Sequence, residues 1–238
     1  MTGGTLASLP TGGIAVVVGA SGGIGAALVE ALGLSDRFDR VVALSRNTMP
    51  ELDLLDARTI ERAAALLAGA GDLRLVMVAT GFLHGAGRPP EKSWSELDPQ
   101  VLAHAFAVNA TGPALLMKHF LPLLPRTGKA VFAALSARVG SIGDNRLGGW
   151  YAYRASKAAL NQLVRTAAIE LRRRRPEALC VALHPGTVDT ALSAPFRKPG
   201  LALQTPKAAA ARLLAVIDGL DAAESGHVFD QNGAAIPW

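Results

Sequence analysis

The 238 residues carry 24 Lys and Arg against 19 Asp and Glu, a formal charge of +5, and half of them are apolar. That length can bury a substantial core in one α/β domain, and neither a linker nor a low-complexity stretch points to a second. No run approaches the roughly 18 apolar residues of a membrane span, the opening MTGGTLASLPTGG lacks a basic region followed by an apolar core, and the lone Cys180 allows no disulfide within the chain, so a soluble, cytoplasmic protein is expected.

In chain order, short β-branched runs alternate with longer alanine- and leucine-rich runs of helical period. The expected strands are IAVVVG (14–19), RVVALS (40–45), LRLVMVA (73–79), KAVFAAL (129–135), LCVALH (179–184) and GHVFD (226–230), with a further short strand in ELDLL near Asp53. Helices are expected near 23–33, 56–68, 98–124 (broken around Gly112-Pro113), 151–175 and 206–219. The alternation predicts a doubly wound parallel sheet of about seven strands with helices on both faces, its ligand crevice beyond the carboxyl ends of the strands. Cys180 falls in an apolar strand and reads as a buried thiol. The basic run at 172–175 precedes Pro176, where cations complement a helix C-terminus, and without interleaved aromatics it makes a poor nucleic-acid surface.

Directly after the first strand, GASGGIG opens a helix with Gly19, Gly23 and Gly25 in a G-x-x-x-G-x-G spacing. Glycines there permit a tight turn and close approach of the backbone to a pyrophosphate, while the helix N-terminus offers unpaired N–H groups. At the end of the second strand, where an acid would hold a ribose 2′-hydroxyl, the chain has neutral Ser45 and basic Arg46. An arginine suits a 2′-phosphate, so NADP(H) is favoured over NAD(H). Asp53 is placed to accept from an adenine amino group or else to cap a helix, a job open equally to Asp56. No metal is expected.

In WYAYRASKAAL (150–160), Tyr153 and Lys157 are four apart and share a helix face, whereas Tyr151 points elsewhere. Half-ionising a phenol at pH 7 takes about 4 kcal/mol of preferential stabilisation of the phenolate. A lysine ammonium and a positively charged nicotinamide act in that direction, which makes Tyr153 a candidate proton donor and acceptor. A plain amphipathic surface pair would have the same spacing.

GASGGIG, VNATGPALL, YRASKAALN and HPGTVDT, in this order, resemble the classical short-chain dehydrogenase/reductase family over nearly the whole chain. LSARVGSI, DNRLGGWYAYRASKAALNQL and DQNGAAIPW are similar to its C-factor-like and Sniffer-like carbonyl reductase branch. The resemblance implies a single-domain Rossmann fold, a nicotinamide cofactor, hydride transfer at a carbonyl or alcohol carbon of a small molecule, and assembly into dimers or tetramers through long helices. It puts the catalytic tyrosine on Tyr153 and the lysine, which also holds the nicotinamide ribose, on Lys157. The asparagine that fixes a relay water falls on Asn109. Gly19, Ser21, Ile24 and Gly25 take the glycine loop, and Pro185, Gly186, Val188 and Thr190 surround the carboxamide.

Two places depart from the family pattern. The substrate-orienting serine falls on Ser136 when counted along the strand from Gly128, whereas counting back from Tyr153 favours Ser141, and pairing Gly140 with the family's glycine would put Ala137 there. Ser136 is preferred because a strand end is a rigid platform. VATGF stands where the family carries Asn-Asn-Ala-Gly, leaving Ala79, Thr80 and Gly81 to line the cofactor. The expected function is NADP(H)-dependent carbonyl reduction, with a dinucleotide-binding regulatory protein of little turnover as the rival. A segment near 189–206, with Arg197 and Lys198 as candidate anion contacts, would cover the substrate, and neither nucleic acid nor membrane is an expected partner.

Overall fold

The computed structural model describes residues 6–85, 89–196 and 203–238. Its chain runs β1 (Ile14–Val18), α1 (Gly23–Gly33), β2 (Arg40–Leu44), α2 (Ala57–Leu67), β3 (Leu73–Val78), α3 (Pro99–Phe106), α4 (Gly112–Phe120), β4 (Ala130–Leu135), α5 (Tyr151–Arg172), β5 (Ala178–Leu183), α6 (Pro206–Gly219) and β6 (Val228–Phe229). Among the described residues the strands form one six-stranded sheet in the order β2-β1-β3-β4-β5-β6, paired in parallel throughout.

The alternation of side chains along each strand divides the core into two layers. Val16, Val18, Val76, Phe132 and Cys180 pack beneath residues of α2, α4 and α5 such as Ile60, Phe120, Leu160 and Val164. Ala15, Val17, Met77, Val131 and Val181 meet Leu28 and Leu32 of α1 and Leu213 and Ile217 of α6 on the other face. Coverage on both faces explains why the central strands read as continuous apolar runs. The thiol of Cys180 is sealed in this core, and burial pushes it up to about 12.

The extra edge strand expected in ELDLL does not form. A single parallel bridge joins Ser45 to Glu51, and Asp53 instead enters a turn in which its carboxylate accepts from Leu55 N at 2.9 Å. In place of the break expected around Gly112-Pro113, residues Ala107–Thr111 form a π segment continuous with α3 and α4, and Pro113, which has no N–H to give to the preceding turn, stands two residues beyond it. Helix α5 stops at Arg172, three residues short of the expected end at the last arginine of the basic run. Arg175 turns back to donate to the carbonyls of Leu124 and Pro122, both at 2.5 Å, so part of that run closes the fold. No helix among the described residues is long and apolar enough to cross a membrane.

Candidate functional site

Chain direction across the sheet reverses between β1 and β3, which opens a crevice above their carboxyl ends. The glycine loop forms one wall. Gly19 has φ +84°, and a side chain there would meet Thr80 and Ala79 at about 3 Å. A side chain on Gly25 would collide with the carbonyl of Gly19, and one on Gly23 would press on Thr190 Cγ2 at 2.9 Å. The three glycines thus let the loop and α1 pack against their neighbours at close range, leaving a cradle of bare main chain at the N-terminus of α1, which carries no side-chain cap. Ser21, Ala79, Thr80 and Gly81 line the same cavity, of about 320 Å³, together with exposed Arg46 and half-buried Asp53. Neighbouring Ser45 is buried and Asp56 caps α2, so the capping role that was open to both acids falls to Asp56.

Deeper in the crevice the π segment carries Asn109, 1% exposed. Its side chain grips one loop residue from both sides: Oδ1 accepts from Phe82 N at 2.8 Å and Nδ2 donates to Phe82 O at 2.7 Å. Nδ2 also donates to Ser156 Oγ at 3.0 Å, tying the π segment to α5. A side chain at Gly81 would lie 3.8 Å from both Asn109 Oδ1 and Lys157 Nζ, so three residues predicted from sequence converge here.

Lys157 is 2% exposed, and its Nζ donates to Leu135 O at 2.7 Å. Burial pulls the ammonium down to about 7. The same nitrogen stands 5.8 Å from the centre of the Tyr153 ring. Enclosure pushes the Tyr153 phenol up to about 12, opposite to the direction expected from sequence, because desolvation disfavours the phenolate. As found, Tyr153 is a neutral acid held beside a base that titrates near neutrality.

The opposite wall is the PGTVDT segment, whose Gly186 has φ +76° and packs between the amides of Gln204 and Gln231. Gln204 Nε2 donates to Pro185 O at 2.5 Å, while buried Val188 bridges to Gln204 and Asp189 N donates to Gln204 O at 2.9 Å. Thr190 N donates to Ser193 Oγ at 3.1 Å. Ile24 lies on the first turn of α1, half-buried and packed against the core. Arg197 and Lys198 fall outside the described residues.

A family model described as short chain dehydrogenase matches residues 13–200. The chain belongs to the short chain dehydrogenase family. Among curated relatives, it is 39% identical over 144 residues to C-signal of Myxococcus xanthus, spanning 60% of this chain and 82% of that protein. It is 32% identical over 190 residues to 1-hydroxy-2-glutathionyl-2-methyl-3-butene dehydrogenase of Rhodococcus sp. (strain AD45), covering 79% of each. The NADPH bound carbonyl reductase from chicken fatty liver superposes with a TM-score of 0.84 at 26% identity, over 98% of this chain and 96% of that one. Carbonyl reductase Sniffer of D. melanogaster shares the fold, with a TM-score of 0.80 at 24% identity over 96% and 100% of the two chains.

Both candidate serines of this short chain dehydrogenase are engaged within the fold. Ser136 is buried, and its Oγ donates to Asn161 Oδ1 at 2.7 Å. Asn161 lies eight residues beyond Tyr153 on α5, about 12 Å further along the helix axis. Ser141, also buried, donates to Trp238 O at 3.3 Å and accepts from Asp144 N at 3.1 Å. Sequence reasoning missed Ser156 and Gln204, whose roles arise from partners 47 and 19 residues away that no local motif announces. It also missed Glu91 and Trp150, which meet at the start of α5.

Proposed function

We infer that the protein is an NADP(H)-dependent oxidoreductase that reduces a small carbonyl compound. The observation that carries this reading is the pairing of a side-chain-free cradle, at Gly19, Gly23 and Gly25, with Tyr153 and Lys157 on the one helix that closes the same end of the sheet. The cradle and the N-terminus of α1 would hold the pyrophosphate, Arg46 the 2′-phosphate and Lys157 the nicotinamide ribose, with Pro185 to Thr190 about the carboxamide. Bound there, the cofactor supplies the hydride.

The chain's own residues handle the proton. A phenol kept protonated by burial is in the state a carbonyl reduction requires, because it must donate to the oxygen as that oxygen gains charge. Lys157, with its affinity for protons tuned close to neutrality, is the group that replaces the proton on Tyr153. Asn109 keeps the floor rigid; its amide is engaged with Phe82 and Ser156, so a relay water on this residue would hang from the main chain of the π segment. Ser136 enters the reading as a tie between β4 and α5, since its single hydroxyl proton is directed at Asn161, and Ala137, the next residue, has no hydroxyl to offer. That shortage favours modest turnover, the feature of the rival reading as a dinucleotide-binding regulator. Assembly through the long helices and a cytoplasmic site of action complete the proposal.

The test is Tyr153→Phe, which preserves ring volume. It should bind NADPH normally and lose at least about a hundredfold in carbonyl reduction, the scale of a positioned general acid, followed as NADPH absorbance with aldehydes, ketones and quinones. Tyr151→Phe should change little. Wild-type activity in Tyr153→Phe overturns the mechanism, and NADPH binding by a wild-type protein that turns over none of these compounds favours the regulator.

A further inference from the structure

Three successive residues before α5 have left-handed backbone: Gly148 at φ +62°, Gly149 at +65° and Trp150 at +52°. The first two are glycines, for which the conformation carries no steric penalty. The third is a tryptophan, in a region that bulky residues almost never occupy. Glu91, 5% exposed, holds it there. Trp150 N donates to the main-chain oxygen of Glu91 at 2.5 Å, and Ala152 N donates to its carboxylate Oε2 at 3.3 Å. The other carboxylate oxygen, Oε1, is buried without a hydrogen-bond partner among the described residues. Two unfavourable features, a strained tryptophan and a half-satisfied buried acid, thus persist together within one turn of Tyr153. Strain of this kind survives where the surrounding structure over-determines it, and such sites are commonly functional.

The geometry shows what the strain achieves. The Trp150 ring meets the Tyr153 ring edge to face, with centroids 6.3 Å apart and planes at 68°, and the side chain remains partly exposed. A flat apolar surface therefore stands beside the proposed proton donor, its Cα–Cβ direction set by the left-handed backbone. We propose that Trp150, set by Glu91, is a specificity-determining wall that selects carbonyl compounds with a flat aromatic group next to the reacting carbon. This rests on the reductase reading for the identity of the site.

The experiment measures binding of benzyl alcohol and of cyclohexylmethanol, equal in size but flat and puckered respectively, by calorimetry on protein saturated with NADPH, with which an alcohol does not react. The wild type should favour benzyl alcohol by up to about tenfold, the scale of one aromatic contact. Trp150→Gly, which suits the backbone, should abolish that preference without lowering the melting temperature, and Trp150→Asn, also tolerant of left-handed backbone, should do the same should the glycine variant fold poorly. Glu91→Ala should lose the preference as the wall is released, whereas Glu91→Gln, which keeps an acceptor for Ala152 N, should restore it. No preference in the wild type, or one that survives in both Trp150 variants, overturns the proposal. A protein that shows the preference yet oxidises no NADPH with benzaldehyde loses the reductase reading and leaves Trp150 as a wall for flat ligands; one that reduces benzaldehyde with no preference keeps the reductase reading and loses the wall.

Discussion

At the scale of single residues, the proposed preference for NADP(H) rests on Arg46. It is exposed at the rim of the cavity, and the buried neutral Ser45 beside it offers no carboxylate to a ribose hydroxyl. Arg46→Ala should weaken NADPH binding by about 2–3 kcal/mol through loss of a charge-assisted contact and leave NADH nearly untouched. Equal losses for the two cofactors, measured by fluorescence titration, would remove the 2′-phosphate assignment. The residue scale is also where the sequence was most and least informative. Gly19, Gly23, Gly25 and the Tyr153–Lys157 pair were legible because each rests on local spacing along a strand-to-helix turn or a helix face. The direction of the Ser136 hydroxyl was not, because it depends on Asn161, 25 residues away on another element.

At the scale of elements, the C-terminal end of β4 is tied to α5 by two bonds, Lys157 Nζ to Leu135 O and, from the next residue, Ser136 Oγ to Asn161 Oδ1. Ser136→Ala should leave Asn161 Oδ1 buried without a donor and cost about 1–3 kcal/mol of stability. Its effect on turnover should come through a loosened β4 and be smaller than that of Tyr153→Phe. Ala137→Ser should raise turnover by adding a hydroxyl at the strand end, and Ser141→Ala should be mild. A large fall in turnover for Ser136→Ala at unchanged melting temperature would return the substrate-orienting role to Ser136. The strands themselves were legible from their β-branched runs, yet 14–19, 40–45 and 73–79 each end one residue short of expectation, where the backbone bends into the loops that frame the crevice. The edge strand near Asp53 failed because the segment spends its polar groups on local turns: Asp53 accepts from Leu55 N, and its own N–H donates to Thr59 Oγ1. The helix at 98–124 was read as broken around Gly112-Pro113, whereas the backbone stays helical there and departs from α geometry only in the π segment just before Gly112.

At the scale of the whole molecule, burying Lys157 makes stability depend on pH. Its ammonium falls from the ordinary 10.5 to about 7 on folding, so between those values the unfolded chain binds more protons than the folded one. Stability should therefore rise with pH across that window and be lowest below about 7, where the charge must either be buried or the structure open. In the cofactor-free protein, the melting temperature of the wild type relative to Lys157→Met should climb from about pH 6.5 to about pH 9.5; a flat difference would mean that the ammonium is hydrated in the fold. Comparing the two proteins cancels the opposing contribution of Cys180, whose raised thiol loses stability as pH rises past its ordinary 9.0. That cysteine has a use of its own. As the sole thiol in the chain, inaccessible at the centre of β5, it is a silent probe that answers a colouring reagent only when the sheet parts. Its labelling rate would count openings of the entire domain, and a cofactor that grips the folded form alone would slow the count in proportion to its occupancy.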